Sequence, residues 1–212
     1  MIQVNQNIEP NPKPLPFRFN GDDSAMAAGI KAGHPGAMEA LFLRYGEMVE
    51  RIVMRVMGID HEIADLVQDV FVAAYSRIHQ LRDDAAVKSW LTSLTIFTVR
   101  QRIRKRSRRR VYWVHDTKIT EESMTEDVSV EDITLLKTVY HTLDAMPAEE
   151  RIVFALRFLE GMEITEAASA MGISESTVKR RQRKAEKRFA VLARRHPALL
   201  ERMGQSEKWR DK

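Results

Sequence analysis

At 212 residues, 44% apolar and 30% charged, the chain has room for one large or two small domains and enough apolar content to pack them. It has no cysteine, which excludes disulfides and thiolate metal sites. No run approaches the roughly 18 apolar residues that a bilayer span requires. The net charge of +4 is modest, yet its distribution is strongly uneven. Arg100 to Arg110 holds eight bases in eleven residues, Lys179 to Arg188 holds seven in ten, and Asp116 to Asp132 between them holds seven acids. That alternation predicts two separate nucleic-acid surfaces joined by an acidic connector.

Residues 1–24 read as an extended arm. Pro10, Pro12, Pro14 and Pro16 alternate with other residues, removing amide donors and disfavouring helix. A disordered tail fits this composition, and so does a partner-binding or autoinhibitory arm. The arm is polar, without the apolar core of a signal peptide, so the chain reads as cytoplasmic.

From Ser24 to Arg110 the pattern is helical. Leu41, Phe42, Tyr45, Met48, Val49, Ile52, Val53 and Val56 form one apolar stripe, ended by Gly58. Asp60 is the expected N-cap of the next helix. There Ile63, Leu66, Val67, Val70, Phe71, Ala74, Tyr75 and Ile78 make a second stripe. Asp65, Gln68 and Asp69 fall together on another side of that helix, an acidic and amide surface able to meet a partner. Arg82-Asp83-Asp84 breaks the helix, and Val87, Trp90, Leu91 and Leu94 begin a third that runs into the basic block. Nothing alternates with period two, so residues 25–110 are predicted to form a helical bundle.

The connector spans residues 111–132. A second helical domain follows over 133–196, with Pro147 at a helix start and Gly161 separating that helix from the next. Ala168, Gly172 and Val178 have helix-turn-helix spacing: a small residue for close crossing, a glycine for the left-handed turn, an apolar anchor on the second helix. Ser174 is the expected N-cap of that second helix, Glu175 to Leu192. Its exposed side presents Ser176, Thr177, Lys179, Arg180, Arg183 and Lys184, in the part of a recognition helix that reaches base edges of duplex DNA. Residues 197–212 form a C-terminal tail without a legible motif. The fold class is therefore all-α: two small helical domains and an acidic linker.

The Arg100–Arg110 block on its own suits phosphate binding or a solvated surface equally. It continues a helix carrying Trp90 and Phe97, and Tyr112 and Trp113 follow it. Aromatics beside a basic track suit single-stranded DNA, where bases stack on rings while phosphates meet arginine. Trp90 equally fits the core, at helical spacing with Val87, Leu91 and Leu94. Acidic helix, basic helix and DNA reader, in that order, suggest a protein that joins a machine to DNA.

These motifs resemble the bacterial RNA polymerase sigma factors of the extracytoplasmic-function (ECF) type, which keep only region 2 and region 4. The resemblance rests on the Asp65–Phe71 heptapeptide, Lys88-Ser89-Trp90-Leu91, Leu143–Pro147, Glu166-Ala167-Ala168 and Ser176-Thr177-Val178-Lys179, and covers residues 25 to 195. It implies an alternative sigma factor that directs core RNA polymerase to promoters and assists melting. By the same resemblance, Asp65, Gln68 and Asp69 dock on a coiled coil of the largest subunit. Arg82, Lys88, Phe97, Arg100, Arg104 and Lys105 bind the downstream element as single-stranded DNA. Ser176, Thr177, Lys179, Arg180, Arg183 and Lys184 read the upstream duplex, while region 4 rests on the second-largest subunit. The implied factor is a monomer without cofactor, metal or membrane attachment. Such proteins also take anti-sigma factors as partners, though no residue here specifies one. Phe97, Gln182 and Arg183 depart from the usual pattern at positions that contact DNA.

Two other classes stay open on residues alone. A plain helix-turn-helix regulator explains residues 135–195 but gives the Asp65 helix and the Arg100 block no purpose. A metal-dependent nuclease would draw on Asp60, His61, Asp65 and Asp69, yet two carboxylates sharing a face are more often a docking surface. The six histidines, His34, His61, His79, His115, His141 and His196, show no ligand spacing, and no catalytic constellation can be named.

Overall fold

The computed structural model describes residues 22–34, 36–58, 62–110, 130–197 and 199–201. The expectations for most of the N-terminal arm, for Asp60 as a cap, for the acidic connector up to residue 129 and for the tail beyond Glu201 lie outside them. Among the described residues all regular structure is helical.

The first unit is α1 (Asp23–Lys31), α2 (Ala37–Met57), α3 (Ile63–Arg77) and α4 (Val87–Arg110). Asp22 caps α1 by accepting from the Ala25 amide at 2.8 Å. Asp23 then ties α1 to α2, accepting from Arg44 Nη1 at 2.8 Å and from the Tyr45 hydroxyl. Burial and this carboxylate together push the Tyr45 hydroxyl up to about 12. On α2, Leu41, Tyr45, Val49, Ile52, Val53 and Val56 are buried as their spacing predicts. Phe42 is not: it is 51% exposed. It sits at the flank of the stripe and sets its ring edge against Phe71 at 5.0 Å. Tyr75 on α3 is likewise 61% exposed, while Leu66, Val70, Phe71, Ala74 and Ile78 line the core.

Gly58 ends α2 at φ +83° and must be glycine for a second reason. A Cβ there would lie 2.8 Å from the Tyr140 ring. Glu62 precedes α3 without a side-chain cap. After α3, a 3₁₀ turn (Ile78–Gln80) leads to a loop where Asp83 accepts from the Ala85 amide at 3.0 Å. A second 3₁₀ turn (Asp84–Ala86) enters α4.

The second unit is α5 (Val130–Asp144), α6 (Ala148–Phe154, continuing as a π turn through Leu159), α7 (Ile164–Met171) and α8 (Glu175–Ala193). Helix α5 starts three residues before the expected Ile133. Pro147 is the N-cap rather than the first helical residue, because its ψ of 141° is extended; the ring constrains only φ. Gly172 takes the left-handed turn at φ +64°, Ser174 Oγ accepts from the Thr177 amide at 3.3 Å, and Val178 is fully buried. The helix-turn-helix is built as its spacing predicts.

The two units pack against each other through a shared apolar cluster. Ile152, Val153, Leu156, Ala167 and Met171 belong to the same apolar cluster as the cores of α1–α4. A second cluster joins Tyr140, Leu143, Phe154 and Phe189 of α5, α6 and α8, with the Phe154 and Phe189 rings stacked at 4.4 Å. Arg151 of α6, only 4% exposed, pairs with Asp144 and crosses to the end of α2. There its Nε donates to the Val56 carbonyl at 2.7 Å and its Nη2 to the Met57 carbonyl at 3.0 Å.

Candidate nucleic-acid interface

The acidic face of α3 is present, with Asp65, Gln68 and Asp69 all exposed. Asp69 is already engaged by Arg102 of α4 at 3.0 Å. Beside this face lies a shallow apolar groove lined by Met38, Phe42, Val67, Phe71, Val72 and Tyr75. Val72 is 60% exposed. An apolar floor flanked by acids suits an amphipathic basic helix better than an acidic face alone would. The sequence held one signal for this groove: Phe42 and Tyr75 stand at the edges of their stripes.

The basic run of α4 divides by direction. Arg102 and Arg106 turn back onto Glu62, at 2.9 and 2.7 Å. Burial alone would raise the Glu62 carboxyl, but the Arg106 and Arg102 guanidiniums more than offset it and hold it below its ordinary value. These two arginines fix α4 to the start of α3. Arg100 and Arg104 face the second unit instead. Arg100 Nε and Arg104 Nη2 lie 3.1 and 3.0 Å from Glu149 Oε1, and Arg100 Nη2 donates to the Met171 carbonyl at 3.4 Å. Lys88, Lys105 and, in the preceding loop, Arg82 are exposed.

Phe97 is 39% exposed and lies under the Arg77 guanidinium, 5.1 Å from the ring centroid. At i, i+3 and i+7 it shares one side of α4 with Arg100 and Arg104, its ring covered by the Arg77 side chain from the end of α3. Trp90 is partly buried against the core, the packing alternative of its sequence reading. Tyr112 and Trp113 lie outside the described residues.

On α8, Ser176, Lys179, Arg180, Arg183 and Lys184 are exposed along one side, and Thr177 is half-buried beside Ser174. Two further bases of that run pair with the first turn of α6. Arg181 reaches Glu149 at 2.6 Å and Arg188 reaches Glu150 at 2.5 Å. Gln182 accepts from Arg157 at 3.2 Å and donates to Glu186 at 2.9 Å, so it packs rather than reads. Sequence reasoning missed Glu149, Glu150 and Arg151 as organising residues, since their partners are remote along the chain.

Among the described residues, no group of three or more His, Asp or Glu is placed to hold a metal ion. No described helix is long and apolar enough to cross a membrane.

Residues 41–109 match the family model for Sigma-70 region 2, and residues 136–189 match that for Sigma-70, region 4. The ECF RNA polymerase sigma factor SigM of Mycobacterium tuberculosis is 26% identical over 175 residues, covering 82% of this chain and 86% of the relative. The ECF RNA polymerase sigma-E factor of Escherichia coli is 25% identical over 169 residues, covering 75% and 87%. Of solved structures, CnrH in complex with the cytosolic domain of CnrY aligns with a TM-score of 0.56 at 25% identity, over 82% of this chain and 98% of that one. With both regions matched in order on an acidic helix face, a basic helix and a helix-turn-helix, the chain belongs to the sigma-70 family as an RNA polymerase sigma factor of the ECF type.

Proposed function

We propose that this chain works in the cytoplasm as a non-catalytic initiation factor, and that its residues divide the work as follows. Asp65 and Gln68, with the groove around Phe42, Val72 and Tyr75, take a basic amphipathic coiled coil of the largest polymerase subunit. Asp69 joins them at the edge, sharing its charge with Arg102. Arg82, Lys88, Phe97, Arg100, Arg104 and Lys105 of the region 2 unit (residues 25–110) hold the opened downstream element. Unstacking costs a few kcal/mol per base, which stacking and phosphate pairing can offset.

Ser176, Thr177, Lys179, Arg180, Arg183 and Lys184 of the region 4 unit (residues 133–196) read the upstream duplex from one side of α8. The observation that carries this reading is the pair of family matches in one chain, over 41–109 and 136–189. A plain helix-turn-helix regulator has no use for the first of them.

The test is charge reversal on α3. Asp65→Arg with Asp69→Arg abolishes co-elution with core RNA polymerase while the helical circular dichroism stays that of the parent chain. The Asp69–Arg102 pair is largely exposed on the Asp69 side, so its loss costs about 0–1 kcal/mol of stability. Unchanged polymerase binding by a folded double variant refutes the docking assignment.

A further inference from the structure

Helix α1 lies ahead of residue 41, where the match to region 2 begins. Met26, Ala27 and Ile30 bury its inner face in the core shared with α2, α3 and α4. Asp23 fixes its first turn to Arg44 and Tyr45 of α2. A helix held at one end and along one face can carry load at the other. Its last turn ends on Lys31, whose half-buried side chain reaches the loop between α3 and α4.

There Lys31 Nζ donates to the Leu81 carbonyl at 2.8 Å and to the Asp84 carboxylate. Leu81 immediately precedes the exposed Arg82 and Asp84 follows it by two residues. One ammonium, with three donors, thus ties down the chain on both sides of that arginine. Local bonds complete the loop. The Leu81 amide donates to the Ile78 carbonyl at 3.0 Å, and the Ala86 amide to the Asp83 carbonyl at 3.0 Å. The Asp83 side chain accepts from the Ala85 amide at 3.0 Å. Two carboxylates beside a phosphate strand would repel it. Here Asp84 is offset by the Lys31 charge and Asp83 closes the turn.

We infer that Lys31 is a positioning residue for promoter opening: without touching DNA, it holds the Arg82 loop in the conformation that receives the opened downstream element. The inference rests on the assignment of Arg82 to that element. Its energetic logic is preorganisation. Each rotamer-rich side chain that must be ordered on binding lowers affinity by about two- to tenfold. The Lys31 contacts move the ordering of the loop into folding, before DNA arrives.

The test uses the full chain assembled with core RNA polymerase and a promoter fork whose downstream element is single-stranded. Lys31→Met keeps the aliphatic stem and removes the ammonium. It weakens fork binding by about five- to tenfold, and Asp84→Asn weakens it in the same direction. Affinity for an upstream duplex, co-elution with polymerase and the helical circular dichroism stay parental. The decisive readout is a double-mutant cycle with Arg82→Ala. In the Arg82→Ala chain, Lys31→Met costs no more than about a further twofold, because the contact it positions is gone. Unchanged fork binding by Lys31→Met, where Arg82→Ala weakens it, overturns the inference alone. An equal loss in both backgrounds makes Lys31 a direct DNA contact and overturns it too. So does a parallel loss of upstream-duplex affinity, which marks general destabilisation. If Lys31→Met lowers the helical signal, Asp84→Asn run through the same cycle decides. Parental fork binding by Arg82→Ala removes the Arg82 assignment, and the inference falls with it.

Discussion

Replacing Arg151 by methionine keeps most of the side chain's length and apolar stem but removes the guanidinium. Three groups lose their donor together: the Val56 and Met57 carbonyls across the interface and the Asp144 carboxylate within region 4. Breaking a buried ion pair from one side costs about 3–5 kcal/mol, and stranding a buried carbonyl about 1–3 kcal/mol. These do not add in full, because the three partners share one site and Asp144 retains 21% exposure through which it can rehydrate. The expected loss is therefore about 3–5 kcal/mol, a large share of the 5–15 kcal/mol that holds a typical domain together.

Urea unfolding followed by circular dichroism measures it. The parent chain, with one apolar cluster spanning both regions, is expected to unfold in a single transition. Arg151→Met shifts the midpoint to much lower urea or separates region 2 and region 4 into two transitions. A loss below about 1 kcal/mol with one unaltered transition would place Arg151 among ordinary surface arginines and remove the clamp.

Other perturbations have equally definite outcomes. Lys179→Ala or Arg183→Ala lowers affinity for the upstream element by about 1–3 kcal/mol in a manner that depends on the base pair contacted. An equal loss on every duplex, measured by fluorescence anisotropy, would make them backbone anchors. Gly58→Ala lowers stability by about 1–3 kcal/mol, because φ +83° is strained for alanine and its Cβ meets Tyr140 at 2.8 Å; a neutral effect in urea unfolding would contradict that packing. The lowered Glu62 carboxyl contributes stability that is present above its ordinary value of 4.5 and lost as pH falls through its folded value. Glu62→Gln is accordingly less stable than the parent at pH 7, and the gap closes on acidification towards pH 3, whereas a gap independent of pH would rule out the Arg102 and Arg106 pairing as its source.

What the sequence made legible was local. The stripes of α2 and α3, the Gly172 turn and the Ser174 cap all follow from neighbours a few residues apart, where helical period and cap chemistry act directly. Phe42 and Tyr75 were assigned to the core because periodicity locates a face but not its edge. The sequence selects Arg100, Arg104 and Lys105 on α4 and Lys179, Arg180, Arg183 and Lys184 on α8 as DNA-facing, but it gives no partner to the other bases: Arg102 and Arg106 turn to Glu62 some forty residues earlier. Arg181 and Arg188 similarly turn back to Glu149 and Glu150. Charge runs report composition, and only the fold assigns each side chain a direction. Arg151 was invisible for the same reason in stronger form, its carbonyl partners lying 95 and 94 residues away. Gly58 was recognised as a helix stop, but its second constraint, the Tyr140 ring, belongs to another region.

The most direct test of the account is promoter-specific run-off transcription by core RNA polymerase reconstituted with this chain. Defined transcripts are expected that require the chain, the Asp65 and Asp69 carboxylates, and an upstream element read by α8. Transcription unaffected by the chain, with duplex binding retained, would contradict it and leave a helix-turn-helix protein that acts without polymerase.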